Sequence, residues 1–124
     1  MTTPTDQTDV IDIPGAVAEV LDRARGATSG RAARTLIPGA GAPLKQTLLA
    51  LTAGTVLADH EAPGSATLHV LEGDVRLLAG DQVIELPTGA LAAIPPLRHS
   101  VESVEDAVIL ISVATSGGED STDT

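Results

Sequence analysis

Three histidines are the residues of this chain with the widest choice of chemistry. They are His60, His69 and His99, and the chain has no cysteine. Neutral imidazole binds divalent zinc, iron, nickel, copper or manganese, and a carboxylate such as that of Glu61 can complete such a site. A histidine can equally be a surface residue, or a buried one whose ring nitrogens are hydrogen bonded. The histidines therefore indicate a metal site only if the fold brings them together.

Two of the histidines follow a glycine at a fixed distance. Five residues separate Gly54 from His60, and Gly89 is followed by Pro95 and then His99. This spacing resembles the two motifs of the cupin superfamily, which consists of small β-barrels (jelly rolls) that usually hold a divalent metal in the barrel. The resemblance covers residues 44–114 and implies an all-β cupin barrel.

The resemblance also implies a metal site that keeps half of the family's ligands. It assigns His60 and His99 as metal ligands, for Zn, Mn, Fe, Ni or Cu. The slots of the second histidine and of the glutamate hold Ala62 and Ala66, and the later asparagine slot holds Ser103. The fold is thus predicted more firmly than the activity.

Strand parity decides which other side chains could join the two histidines. Side chains alternate between the faces of a strand, so His60 shares a face with Val56, and the family places that face inside the barrel. One of Lys45 and Gln46 must face inward from a neighbouring strand. We therefore predict that Gln46, and Glu61 despite its outward parity, help to hold a metal with waters or a small anion.

The third histidine has the opposite parity. His69 stands between Leu68 and Val70, which alternate with it and suit a buried face. We predict that His69 points outward, with a structural or interface role, unless a bulge shifts the parity.

Short strands make up most of the predicted elements. They fall at 44–51, 55–59, 67–71, 75–78, 82–86, 91–94 and 107–114, with a tight hairpin turn at Gly73-Asp74. Such a series of short strands between turn residues is typical of an all-β barrel or sandwich. We divide the chain into an N-terminal tail and helical arm (1–43), a cupin barrel (44–115) and a disordered acidic tail (116–124).

The arm contains one amphipathic helix. Asp12 suits its N-cap and Pro14 its first turn, Gly26 suits its end, and one face carries Val17, Val20, Leu21 and Ala24. That apolar face needs a surface, either on its own barrel or on a second subunit, and we expect a homodimer. Residues 29–34 are predicted to form a turn or a short extended arm.

Two arginines of this segment are candidates for binding an anion. Arg31 and Arg34 could clamp a carboxylate together. The chain has 17 acidic residues against 7 basic ones, so we expect these arginines to be solvated or paired with acidic side chains instead.

Composition excludes several classes of partner. The chain has no Phe, Tyr or Trp and a net charge of −10, so it lacks the rings and cationic clusters with which proteins bind nucleic acids. No apolar run approaches the roughly 20 residues that span a bilayer, and the first residues, Met-Thr-Thr-Pro-Thr-Asp, lack the basic and apolar regions of a signal peptide. We expect a cytoplasmic protein that binds a small molecule, without nucleic-acid or membrane partners.

Two functions remain open at this point. The first is a barrel that binds a divalent metal, a small molecule or both in its interior, and the retained His60 and His99 favour it. The second is a metal-free, non-catalytic homodimeric barrel with a ligand-sensing or structural role, and the alanines at 62 and 66 favour it. The fold alone selects no reaction.

Overall fold

The structure is a computed structural model that describes residues 10–37, 43–60 and 65–114, with the backbone alone at 59 and 60. The predicted tails and Glu61 lie outside the described residues. Within these ranges the chain forms one helix, α1 (Ile13–Gly26), and nine strands. They are β1 (Arg31–Ile37), β2 (Leu44–Leu51), β3 (Val56–His60), β4 (Ser65–Glu72), β5 (Val75–Ala79), β6 (Gln82–Leu86), β7 (Leu91–Ala93), β8 (His99–Ser103) and β9 (Ala107–Ala114).

The strands form two antiparallel sheets. One has the order β1-β2-β9-β4-β7 and the other the order β3-β8-β5-β6. Most strands that follow each other in the sequence lie in different sheets, so the chain crosses repeatedly from one sheet to the other, as in a jelly roll. The predicted all-β architecture is confirmed.

The core between the two sheets is aliphatic. Because the chain has no aromatic residue, branched and small side chains must fill the interior. Both sheets contribute to the buried cluster, which contains Leu51, Leu68, Val70, Val75, Leu77, Leu86, Val101, Ala107 and Ile109.

Helix α1 covers the outer face of the five-stranded sheet. Asp12 caps it by accepting a hydrogen bond from the backbone nitrogen of Gly15 at 3.3 Å. The apolar face of the helix is buried on the sheet of its own chain, in a cluster of Ala16, Val20, Leu21, Ala24, Leu48, Ala50 and Val108. At 14 residues α1, the one helix of the described residues, is too short to cross a membrane.

Strand β1 extends the sheet before the predicted start of the barrel. The segment predicted as a turn or an arm pairs antiparallel with β2, from Arg31 opposite Leu51 to Ile37 opposite Gln46. Its Arg-Ala-Ala-Arg sequence has little β-propensity. Pairing with β2 and the packing of Ala32 beneath α1 stabilise the strand instead.

Strand β8 is absent from the strands predicted above. Its sequence contains one large apolar residue, Val101, so it lacks the alternating apolar pattern that identifies a strand. The inward positions on either side of Val101 are His99 and Ser103, each 2% exposed. Because polar residues occupy its buried positions, the strand that carries a candidate ligand cannot be identified from an apolar pattern.

The turn predicted at Gly73-Asp74 exists, but the predicted hairpin is wrong. Gly73 has a positive φ of 78°, as a tight turn requires. However, β4 and β5 belong to different sheets, so this turn carries the chain across the barrel instead of pairing the two strands.

One carboxylate ties the β8–β9 turn to the helix and to the β2–β3 turn. Asp106 accepts hydrogen bonds from the side chain of Arg25 at 2.8 Å and from the backbone nitrogen of Ala53 at 2.9 Å. The backbone hydrogen bond first, and then the bond from Arg25, lower the pKa of Asp106 below its ordinary value, because both favour the ionised form.

We expect Asp106→Asn to lower the melting temperature by a few degrees at neutral pH. A carboxyl whose pKa is depressed in the folded state stabilises the fold above its unfolded pKa, and this contribution is lost as the pH falls through the folded pKa. The difference in melting temperature between the parent and the variant should therefore shrink as the pH is lowered from about 5 to about 2. Calorimetry of both proteins over this pH range measures the difference in melting temperature. A difference that does not change with pH would show that the ionised carboxylate of Asp106 does not stabilise the fold.

Candidate functional site

His99 lies in the interior of the barrel. It begins β8, is 2% exposed, and shares a face with Val101, which belongs to the core. Its partner in register on the adjacent strand β5 is Ala79, which is 1% exposed. His99 is therefore a buried imidazole in mainly aliphatic surroundings.

A backbone carbonyl orients this ring. Nδ1 of His99 lies 2.9 Å from the carbonyl oxygen of Leu97. Since a carbonyl oxygen only accepts, Nδ1 carries the proton and donates it, and the lone pair of the neutral ring is on Nε2. Metal-binding histidines usually have this arrangement, in which one ring nitrogen donates to a carbonyl or a carboxylate and the other binds the ion. In this tautomer a cation would be bound through Nε2.

Strand pairing brings the backbone of His60 to His99. In the antiparallel pair of β3 and β8, Leu57 lies opposite Val101 and His60 lies opposite His99. These two pairs are three residues apart on β3 and two apart on β8, so β3 contains one extra residue, a bulge. Directly opposed positions of an antiparallel pair have Cβ atoms about 4.5–5.5 Å apart.

The parity predicted for β3 is wrong at its first residues. Val56 is 47% exposed, whereas Leu57 packs against the core. In a regular strand, His60 would share the outward face of Val56. The extra residue between Leu57 and His60 moves the latter to the position opposite His99, and an alternating pattern cannot reveal such a bulge.

The neighbouring strands add few ligands to the two histidines. Ala79 stands opposite His99 on β5, and Ala66, at the slot of the family's glutamate, is buried at 8% exposure. Among the described residues there is no cluster of three or more His, Cys, Asp or Glu side chains. The described residues thus place the oriented imidazole of His99 in the interior, with the backbone of His60 opposite it in register.

Gln46 does not join the histidines. It has the parity of Leu48, which is buried beneath α1, and its side-chain nitrogen donates to Ser112 Oγ at 3.0 Å. This is the outer face of the five-stranded sheet, whereas His99 faces inward from the other sheet. The expectation that Gln46 contributes to an interior cluster is corrected, because on β2 the residue with inward parity is Lys45.

His69 lies on the outer face of β4, as its parity predicted. Leu68 and Val70 on either side are fully buried in the core, whereas His69 is half-buried. Its partner on β7 is Leu91, which is 67% exposed. The five-stranded sheet thus stands between His69 and the interior, which makes His69 a suitable control for His99.

Ser103, at the asparagine slot, serves the structure of the barrel. Its hydroxyl donates to the carbonyl oxygen of Thr52 and accepts from the backbone nitrogen of Thr55 at 3.1 Å. These hydrogen bonds fasten the end of β8 to the turn that leads into β3. They help to hold together the two strands that carry His60 and His99.

The two arginines of β1 do not form a clamp. Three residues apart on a strand, they have opposite parity. Arg34 forms an ion pair with Glu19 of α1 at 3.1 Å, so the pairing with an acidic side chain that we expected is present. Arg31 instead lines a cleft of about 280 Å³, together with Leu49 and Leu57.

A second cleft, of about 230 Å³, lies beside Arg76. The guanidinium of Arg76 contacts Glu85 at 3.1 Å and Glu102 at 3.6 Å. The hydrogen bond to Glu85 and the charge of that carboxylate are the main causes that raise the pKa of Arg76. Since two carboxylates already neutralise this cation, the second cleft has little attraction for an anion.

Solved structures of known proteins share this fold. A conserved protein of unknown function from Streptococcus pyogenes is 22% identical, with a TM-score of 0.66 over 74% of this chain and 80% of that chain. An RmlC-like cupin protein from Desulfovibrio desulfuricans is 28% identical, with a TM-score of 0.59 over 68% of this chain and 82% of that chain. A variant of salicylate 1,2-dioxygenase from Pseudoaminobacter salicylatoxidans is 21% identical, with a TM-score of 0.65 over 79% of this chain and 33% of that chain. No protein-family model and no curated protein matches.

The two antiparallel sheets and these likenesses define the class of protein. By its fold the chain is a cupin superfamily protein. The described residues form one small barrel, and the predicted resemblance to the cupin fold is confirmed.

Proposed function

We propose that this protein binds a divalent metal ion, and with it a small molecule, in the barrel through His60 and His99. The observation that supports this best is the buried ring of His99, oriented by Leu97 and paired in register with His60. Imidazole nitrogen suits zinc, copper, iron and nickel. When bound, such an ion acts as a Lewis acid that polarises an oxygen atom of a small molecule.

The site should bind metal weakly and prefer an anionic co-ligand. Stable zinc sites generally use three or four protein ligands, and two imidazoles leave positions for water or for oxygen atoms of the small molecule. Ala79, opposite His99 in register, and Val101 on the same strand face carry no ligand atom on their side chains, and the described residues contain no cluster of three or more His, Cys, Asp or Glu side chains. A divalent charge is costly there unless another charge balances it, so an oxygen-rich anion is the expected partner.

Calorimetric titration with Zn²⁺ and Ni²⁺ tests this proposal. The experiment uses chelator-treated protein without a histidine tag. We expect one ion per chain for the parent and for His69→Ala, and binding at least about 100-fold weaker for His60→Ala, since even residues that only support a ligand change affinity 10- to 100-fold. Equal binding by the parent and His60→Ala, or a loss confined to His69→Ala, would count against the proposal.

The second candidate is a metal-free barrel that binds a small molecule without catalysis. The small residues Ala66 and Ala79 favour it, because both positions face the interior without a ligand atom on their side chains. A compound that binds the folded state raises its melting temperature. Stabilisation of both the parent and Arg31→Gln by small organic acids, but by no divalent metal, would select this candidate over the first.

The predicted homodimer needs a surface other than the helix face. The apolar residues of α1 are buried on their own sheet, so we propose the outer face around Leu91, which is 67% exposed. Light scattering at micromolar concentration should give twice the mass of one chain, and Leu91→Glu should give the mass of a monomer. A monomeric parent protein would contradict this proposal. The cytoplasmic location stays a prediction.

A further inference from the structure

The cleft beside Arg31 lies where the two sheets are open. Strand β1 is the edge of the five-stranded sheet and β3 is the edge of the four-stranded sheet. Leu49 of β2 and Leu57 of β3 line the cleft and pack against the core with their buried parts. Its volume of about 280 Å³ is near the lower end of the roughly 300–1,000 Å³ of small-molecule sites.

The walls of this cleft suit an aliphatic group. Leu49 and Leu57 provide its larger apolar surfaces, and Ala33, opposite Leu49 in register, provides a smaller one. Because the chain has no aromatic residue, no ring is available to stack on an aromatic ligand. The walls therefore favour an alkyl body.

The charge of the cleft suits an anion. Four other arginines, Arg23, Arg25, Arg34 and Arg76, form ion pairs with carboxylates. Arg31 belongs to none of the ion pairs found among the described residues, and none of the described residues that line its cleft is acidic. Arg98 and Lys45 also belong to none of these ion pairs, but Arg31 is the cation among the described residues that line the cleft.

The backbone that carries Arg31 is firmly held. Arg31 lies opposite Leu51, which is fully buried, and its backbone nitrogen donates to Ser29 Oγ at 3.4 Å. A fixed backbone reduces the entropy that is lost when a side chain is ordered by a ligand. Ligand binding therefore has to order the side chain of Arg31 but not its backbone.

We propose that this cleft binds a small aliphatic monocarboxylate. The carboxylate pairs with the guanidinium of Arg31, which can donate two parallel hydrogen bonds, and the alkyl body covers Leu49 and Leu57. The net charge of −10 disfavours ligands with more than one negative charge. Neither His69 nor His99 lines this cleft.

Titration of octanoate into the chelator-treated protein tests the proposal, with Arg34→Gln as the matched control. Arg34 is on the same strand as Arg31, but its side chain pairs with Glu19. We expect the parent and Arg34→Gln to bind one octanoate per chain, and Arg31→Gln to bind at least about tenfold more weakly, since a charge-assisted hydrogen bond contributes about 1.5–3 kcal/mol. Octylamine, which has the alkyl chain without the negative charge, should bind the parent more weakly than octanoate.

Any one of four results would overturn the proposal. The first is equal octanoate affinity for the parent and Arg31→Gln, and the second is equal affinity of the parent for octylamine and octanoate. The third is a parent protein that is a dimer and becomes a monomer when octanoate is added, because this would show that a second copy of the chain occupies the cleft. His99→Leu should bind octanoate like the parent, so a failure of the histidine site leaves this result unchanged. Loss of octanoate binding in His99→Leu alone would place the anion in the barrel interior and refute the Arg31 site.

Discussion

Gly73→Ala should lower the free energy of unfolding by on the order of 3 kcal/mol or more. The backbone of Gly73 has a φ of +78°, and a Cβ added there would overlap the carbonyl oxygen of Asp106 and come within 2.8 Å of the Cα of Ala107. Both obstacles are backbone atoms, one at the end of the β8–β9 turn and one at the start of β9. Because Asp106 ties this turn to α1 and to the β2–β3 turn, the turn cannot move without breaking other contacts.

Alanine substitutions at two other glycines distinguish the cost of backbone strain from the cost of atomic overlap. Gly54 has a φ of +82° but no atom within 4 Å of an added Cβ, so Gly54→Ala should cost about 1–2 kcal/mol from backbone strain alone. Gly26 is helical and also has open space, so Gly26→Ala should be neutral or stabilising by up to about 1 kcal/mol. Urea unfolding of the three variants gives the order, and a Gly73→Ala variant as stable as Gly54→Ala would show that no overlap occurs.

His99→Leu should weaken metal binding at least about 100-fold while the fold remains intact. The substitution removes the nitrogen that we propose as a ligand and keeps an apolar side chain in aliphatic surroundings. The lost hydrogen bond to Leu97 costs about 1 kcal/mol, and burial of the leucine offsets part of this cost. Zinc titration and urea unfolding of the same preparation measure both effects.

The changes in metal affinity and in stability distinguish a His99 that binds metal from a His99 that is purely structural. If His99 serves mainly to hold the segment before β8 through Leu97, His99→Leu will lose stability and the parent will gain none from added metal. That combination would contradict the proposed function. Strong metal-dependent stabilisation of the parent that His99→Leu lacks is the result we expect.

Strands with regular apolar patterns could be predicted from the sequence with accurate bounds. The predicted ranges 82–86 and 107–114 are those of β6 and β9, because turn residues or polar residues bound each apolar run. β1 and β8 could not be predicted in this way. Pairing with β2 makes a strand of the alanine- and arginine-rich β1, and β8 buries His99 and Ser103 where a pattern search expects apolar residues.

The candidate site could be predicted in part, for similar reasons. Glycine spacing selected His60 and His99, and the register places their backbones opposite each other. The inward parity expected of Val56 failed because a bulge cannot be seen in the sequence. Gln46 was misplaced because only the pairing of β2 with β9 shows which of two adjacent residues faces inward.

The cleft at Arg31 had no signal in the sequence beyond the arginine itself. It depends on which strands form the edges of the two sheets and on Arg34 pairing with Glu19. Neither property can be derived from the order of residues along one strand.

Anomalous diffraction at the zinc edge, from crystals soaked in zinc, tests the central claim most directly. We predict a peak between His60 and His99, at the roughly 2.0–2.1 Å from an imidazole nitrogen that zinc requires. Imidazoles turned to different walls or to solvent, with anomalous density only at His69 or nowhere, would contradict it.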